Sequence, residues 1–294
     1  MPGNKLKISI GPVQHYWSRN ELLDFYADIA KSAADIVYLG ETVCSKRRTL
    51  RTDDWITLAQ QLRDCDKEVV LSTLTLIEAE SELNATKHII ENGEFITECN
   101  DMAAVNFCIE RKLPFITGPA INIYNANTLA FLIDRGLKRW VPCVELSRES
   151  IKKTLGALPN SIETEIFAYG FLPLAYSARC FTARQYQLPK DNCQFMCLQH
   201  PQGIVLSTQD NNNLFRINGI QTQSYETCNL LPLYDDMVAL GVHSLRLSLS
   251  HQSEIALINQ LDQIRHSQHN TIPLLNTSGI NGYWFGKAGM LVGD

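Results

Sequence analysis

The feature that most constrains this chain is a rhythm. Short, β-branched apolar runs alternate with segments whose apolar residues recur every three or four positions, the signal for βαβ units around a parallel sheet. Strand-type runs fall at 7–13, 35–40, 68–76, 95–98, 114–121, 140–145, 162–169 and 243–248. Helix-type segments fall between and after them, at 21–30, 53–62, 81–90, 103–110, 127–135, 148–155, 231–240 and 255–264. In the first helix Leu22, Leu23, Tyr26, Ile29 and Ala30 share one face. Thr52 and Asp53 read as the cap of the second, and Asn92-Gly93 and Gly136 as stops.

Eight such units in 294 residues predict an α/β fold, a TIM-barrel-like (β/α)8 domain spanning residues 1–294. The rival is an open doubly wound sheet, but no G-x-G-x-x-G follows the first strand, where dinucleotide-binding members of that class carry their phosphate loop. The rhythm breaks after the seventh strand. No Pro/Gly/Ser-rich linker or shift in composition marks a second domain there, so residues 170–229 are expected to be an elaborated loop insertion.

With 45% hydrophobic and 19% charged residues, the chain can bury a core without disulfides. Its net charge of -5 sets any nucleic-acid role back to a local basic patch, and no nucleic-acid partner is expected. No segment reaches membrane-spanning length, and the first residues lack the apolar run of a signal peptide. The expected location is the cytoplasm, where the sequons at Asn84 and Asn276 are chance matches. In a reducing compartment the nine cysteines are metal ligands, catalytic groups or buried small apolar residues rather than disulfide partners.

The cysteines divide by position. Cys44 lies just past the second strand, and Cys180, Cys193 and Cys197 lie in the insertion after the seventh, so a barrel brings both segments to one rim. These four are the candidate metal ligands. Cys65, Cys99, Cys108, Cys143 and Cys228 fall in or near regular elements and read as structural. The spacing C-x12-C-x3-C is neither a zinc ribbon nor a ferredoxin run, and thiolates suit zinc or an iron–sulfur cluster equally.

Lys46, Arg47, Arg48, Arg51, Arg179, Arg184 and Lys190 crowd the same segments. They would offset thiolate charge, and Arg47, Arg48, Arg179 and Arg184 are candidate contacts for an anionic substrate. Glu41, Glu98, Asn122 and Glu145 stand at expected strand ends and could line a barrel mouth. Hydrolase signatures are missing: there is no H-E-x-x-H or G-x-S-x-G, and the seven histidines, from His15 to His269, show no metal-type pairing. The S-x-x-K match at Ser150–Lys153 sits in a polar helix and reads as chance. No catalytic residue is assigned.

The segments DIVYLGETVCSKRR, FLPLAYSARCFTAR, KDNCQFMC and NGYWF, with KLPFITG and ENGEF, resemble the ubiquinone-biosynthesis members of the iron–sulfur family named after collagenase-like peptidases. The similarity runs over essentially the whole chain, and YSARCFTAR and YLGE-x-x-CSKRR carry it. It implies a four-iron four-sulfur (4Fe-4S) cluster on the cysteines matching the family motifs, here Cys44, Cys180, Cys193 and Cys197. It further implies a heterodimer with a UbiU-like protein in oxygen-independent hydroxylation of the ubiquinone precursor ring. Prephenate is the implied hydroxyl donor, ubiquinone biosynthetic intermediates are the implied substrates, and a lipid-binding accessory protein is an implied associate. Relatives that modify RNA bases offer a second reading, against which the acidic balance weighs. The peptidase label is a third, with no recognisable nucleophile and base to support it.

Overall fold

The computed structural model describes residues 5–266 and 278–293; Asn276 and His269 lie outside the described residues. The first stretch runs β1 (Lys7–Ile10), α1 (Arg19–Lys31), β2 (Ile36–Leu39), α2 (Thr52–Arg63), β3 (Glu68–Ser72), α3 (Glu80–Ile90), β4 (Ile96–Cys99), α4 (Met102–Glu110), β5 (Phe115–Thr117), α5 (Ala126–Ile133), β6 (Leu137–Trp140), α6 (Arg148–Gly156) and β7 (Glu163–Tyr176). Then come α7 (Phe181–Gln185), β8 (Ile204–Ser207), β9 (Asn213–Asn218) and β10 (Gln221–Asn229). The rhythm resumes with α8 (Tyr234–Leu240), β11 (Ser244–Leu247) and α9 (Ala256–His266).

Strands β1 to β7 pair in order and in parallel, and β11 pairs in parallel with both β7 and β1. That closes an eight-stranded α/β barrel of the TIM type, the class read from the sequence. Alternation along the strands separates two environments. Ile8, Ile10, Val37, Leu39 and Leu71 join Phe25, Ile29, Leu58 and Leu62 of the helices in one buried cluster. Ile36, Tyr38, Val70, Ile116 and Val141, on the opposite alternation, form a second small cluster in the barrel interior.

The same inward positions carry charge. Arg246 reaches Glu165 and Glu98 at 2.6 Å each, and all three side chains are buried. Glu165 also accepts from Tyr38 (2.9 Å), Ser9 (2.9 Å) and Ser244 (3.0 Å). At the other end of the barrel Arg139 binds Glu68 (2.6 Å) and Glu163 (2.7 Å). Burial pushes the Glu165 carboxyl up, but Arg246, Arg139 and the Tyr38 hydroxyl outweigh it and hold it below the usual carboxylate range.

The region expected as an elaborated loop contains regular structure. Strand β7 pairs in parallel with β11 as far as Tyr169 and then, from Tyr169 to Tyr176, antiparallel with β10. Gly170 makes the change of partner: its φ is +127°, and a Cβ there would stand 2.4 Å from the Ser248 carbonyl oxygen. Strands β9 and β8 extend the antiparallel sheet, with β8 at its edge.

Local signals shift in detail. Ser18 and Glu21 form a reciprocal capping box on α1, and Asp101, Asn125 and Ser147 cap α4, α5 and α6. On α2, Thr52 is already helical; Arg51 occupies the cap, with its N–H donating to Asp54 at 2.9 Å. The sixth strand lies at Leu137–Trp140 rather than 140–145, because Gly136 (φ +108°) turns the chain directly into it.

Arg246→Ala would leave Glu98 and Glu165 buried without their shared cation, so urea unfolding should show a loss of about 3–5 kcal/mol. Because the Glu165 carboxyl is held low in the fold, its contribution is present above roughly pH 4.3 and is lost as pH falls toward the lower folded value. Unfolding midpoints measured from pH 7 to pH 3 should decline over that lower interval.

Candidate metal centre

The segment that carries Cys44 begins at Gly40, with φ +138°, where a Cβ would meet the Ser72 carbonyl oxygen at 2.4 Å. The Glu41 carboxylate then accepts the N–H groups of Val43 (2.8 Å) and Cys44 (3.0 Å), fixing the turn that presents the thiol. Cys180 sits at the start of α7, where the Ala183 N–H donates to its sulfur at 3.4 Å. Between Cys193 and Cys197 the chain reverses through Gln194 and Phe195, both left-handed at φ +48° and +54°.

All four thiols line one small cavity, together with Lys46, Arg47 and Phe195. None of the other five cysteines lines it. Cys65 is exposed, and Cys99, Cys108, Cys143 and Cys228 are buried. Among the described residues, no three His, Cys, Asp or Glu side chains converge closely enough to hold a single metal ion. A tetrahedral zinc site, with Zn–S bonds of about 2.3 Å, needs its sulfurs within about 4 Å of one another. An all-sulfur donor set suits zinc or an iron–sulfur cluster alike. Burial pushes the Cys44 thiol up to about 11 and raises that of Cys197, so thiolates here call for a positively charged partner.

Ties that involve no metal hold the two segments together. Lys46 donates to the Lys190 carbonyl (3.0 Å) and Asp191 (2.6 Å), linking the Cys44 loop to the turn before Cys193. Lys190 binds Glu78 and the Ala178 carbonyl (2.8 Å). Arg47 is buried, donating to the Gln14 carbonyl and to Asn218 Oδ1, each at 2.7 Å. Arg48, Arg179 and Arg184 are exposed and in no side-chain ion pair among the described residues. Of the residues expected at the mouth, Glu98 belongs to the interior ion network and Glu41 to the Cys44 turn. Glu145 pairs with the Tyr124 hydroxyl, and Asn122 is exposed. The Ser150 hydroxyl is spent on Ser147.

The sequence gives no hint of a hydrogen-bonded cap on the carboxyl-terminal side of the barrel. The Gln14 side chain accepts from Gln221 (2.7 Å) and Gln223 (3.2 Å), and Gln221 donates to Tyr176 (2.8 Å). Beside it the His15 ring is 5% exposed. Burial first, then the charges of Arg47 and Arg216, lower its pKa to about 3.

Residues 23–260 match Peptidase family U32. The chain belongs to this family. Among solved structures, the U32 peptidase Mk0906 is similar at 10% identity over 84% of this chain and 94% of that one, with a TM-score of 0.45. A rubisco-like protein from Rhodopseudomonas palustris gives 8% identity over 91% and 67% of the two chains, with a TM-score of 0.47. The rubisco-like protein MtnW from Alicyclobacillus acidocaldarius gives 14% over 55% of this chain, which covers half of that one, with a TM-score of 0.39. None of these likenesses bears on the chemistry of the U32 chain. Among its described residues no helix is long and apolar enough to cross a membrane.

The low folded pKa of His15 predicts a neutral ring throughout pH 5–8, so its ring NMR resonances should not titrate there. Because the unfolded imidazole takes up its proton near pH 6.5, stability should be lost progressively as pH falls from about 6.5 toward 3. His15→Gln should flatten that part of the stability profile.

Proposed function

We propose that this U32 chain is an iron–sulfur subunit in which Cys44, Cys180, Cys193 and Cys197 hold a four-iron four-sulfur cluster. The observation that carries the reading is the convergence of thiols from two distant segments on one cavity from which the other five cysteines are excluded. When bound, such a cluster supplies a site of single-electron exchange and of oxygen sensitivity. The chain's own contribution is to hold the two thiol segments in place through Lys46, Lys190 and Arg47 and to surround them with positive charge.

The finer reading is a UbiV-like protein, paired with a UbiU-like partner in oxygen-independent hydroxylation of the ubiquinone precursor ring. It is supported by the motifs quoted above, which include all four cysteines. Prephenate, the proposed hydroxyl donor, is a dicarboxylate. Arg48, Arg179 and Arg184, exposed and in no ion pair among the described residues, lie in the segments that carry Cys44 and Cys180 and offer planar donors of the kind that bind carboxylates in pairs. Ubiquinone precursors and a lipid-binding accessory protein complete the proposed set of associates, with no nucleic acid among them.

Protein purified without oxygen should be brown, contain iron and acid-labile sulfide, and bleach on reduction. Alanine at Cys44, Cys180, Cys193 or Cys197 should abolish iron binding, whereas Cys108→Ala should retain it. Stoichiometric zinc without sulfide, or equal iron loss in Cys108→Ala, would overturn the assignment. Co-expression with a UbiU-like chain should yield a complex that survives gel filtration, and incubation of either preparation with gelatin should leave the substrate intact.

A further inference from the structure

Two cations line the cysteine cavity, and they differ in kind. Lys46 is turned outward onto Asp191. Arg47 is 4% exposed and held from two sides, with Nη1 on the Gln14 carbonyl and Nη2 on Asn218. Its Nε has no hydrogen-bond partner among the described residues. The backbone is shaped around the guanidinium: Gly219 is left-handed at φ +68°, and a Cβ there would stand 3.1 Å from Nη2. The nearest carboxylate, Glu41, is 4.0 Å away and already committed to the N–H groups of Val43 and Cys44.

Leaving a buried donor unsatisfied is unfavourable, and leaving part of a buried cation uncompensated is more so. A site that fixes an arginine this closely yet spends only its terminal nitrogens leaves room for a further acceptor. The acceptor at hand is sulfur. Arg47 and Cys197 line the same cavity, with the guanidinium within interaction range of that sulfur.

We propose that Arg47 is a positioning residue for the cysteine site, donating through its free Nε–H to the thiolate sulfur of Cys197 when the metal centre is bound. This rests on the iron–sulfur reading above. A cation and a hydrogen bond at a ligand sulfur favour the state that carries the extra electron, so Arg47 raises the reduction potential of the bound cluster. Through Gln14 and Asn218 the same guanidinium ties the cluster's surroundings to the β1–α1 connection and to β9.

The test compares wild-type protein, Arg47→Met and Arg47→Lys, each purified and reconstituted without oxygen. Iron and sulfide content are measured, together with a reductive titration followed by paramagnetic resonance in H2O and D2O. Arg47→Met should keep wild-type iron and sulfide, take up its electron at a more negative potential, and lose an exchangeable proton coupling seen in the wild type. Arg47→Lys, which keeps the charge, should fall between the two. Full iron content with an unchanged potential and an unchanged proton coupling in Arg47→Met would overturn the proposal and leave the iron–sulfur reading standing. Wild-type protein without iron would remove both. Should Arg47→Met fail to fold or load, Asn218→Ala releases the guanidinium from one anchor without removing it. That variant should shift the potential in the same direction by less, and an unshifted potential there overturns the proposal.

Discussion

Strand β7 belongs to two sheets, and the backbone conformation of Gly170 is what permits it. Up to Tyr169 the strand closes the barrel against β11; beyond it the strand founds an antiparallel sheet with β10. Any side chain at Gly170 would collide with the Ser248 carbonyl in the neighbouring barrel connection. Three of the four cavity thiols are threaded between β7 and β10, so their position relative to the barrel descends from this change of partner. The fourth, Cys44, is placed by the barrel itself, through the close approach of Gly40 to β3.

The barrel interior has its own requirement. Beside the apolar side chains of Ile36, Val70, Ile116 and Val141 it holds Arg246, Glu165, Glu98 and Arg139, whose charges offset one another at short range, with the Tyr38 hydroxyl hydrogen-bonded among them. Desolvation makes such a network sensitive to the loss of any member, while its strict geometry fixes how the strands sit around the axis. The amides of Gln14, Gln221 and Gln223 then occupy the carboxyl-terminal side, where barrels usually keep their working residues. The cysteine cavity lies beside this cap, with Arg47 belonging to both.

Much of this was legible in the sequence, and the failures have physical reasons. Helix periodicity and β-branched runs located the barrel units because each element buries one face. The sixth strand lies earlier than its apolar run because LKRW places Lys138 and Arg139 where strands are usually apolar; Arg139 is acceptable there through Glu68, Glu163 and Tyr38, all outside its own segment. Strands β9 and β10 read as loop because polar residues interrupt the apolar ones in NLFRIN and dominate QTQSYETCN, and each is held by its neighbours in the antiparallel sheet. Cys44, Cys180, Cys193 and Cys197 could be grouped from their positions outside regular elements, and the structure puts all four on one cavity. The burial of Arg47 was invisible, since it depends on Gln14 and Asn218, which are far apart in the sequence.

The ion pairs and hydrogen bonds that join the two thiol segments have a consequence for the order of assembly. In small metal-dependent domains the ligands come together only when the ion arrives, so folding and loading are one event. Here Lys46 to Asp191, Lys190 to Glu78 and Arg47 to Asn218 gather the segments without metal. The four thiols are thus brought to one cavity by contacts of the chain itself, and the cluster proposed there would meet ligands already gathered. On the proposed reading, loss of the cluster would leave those contacts in place, and the shape of the cavity would outlast its occupant.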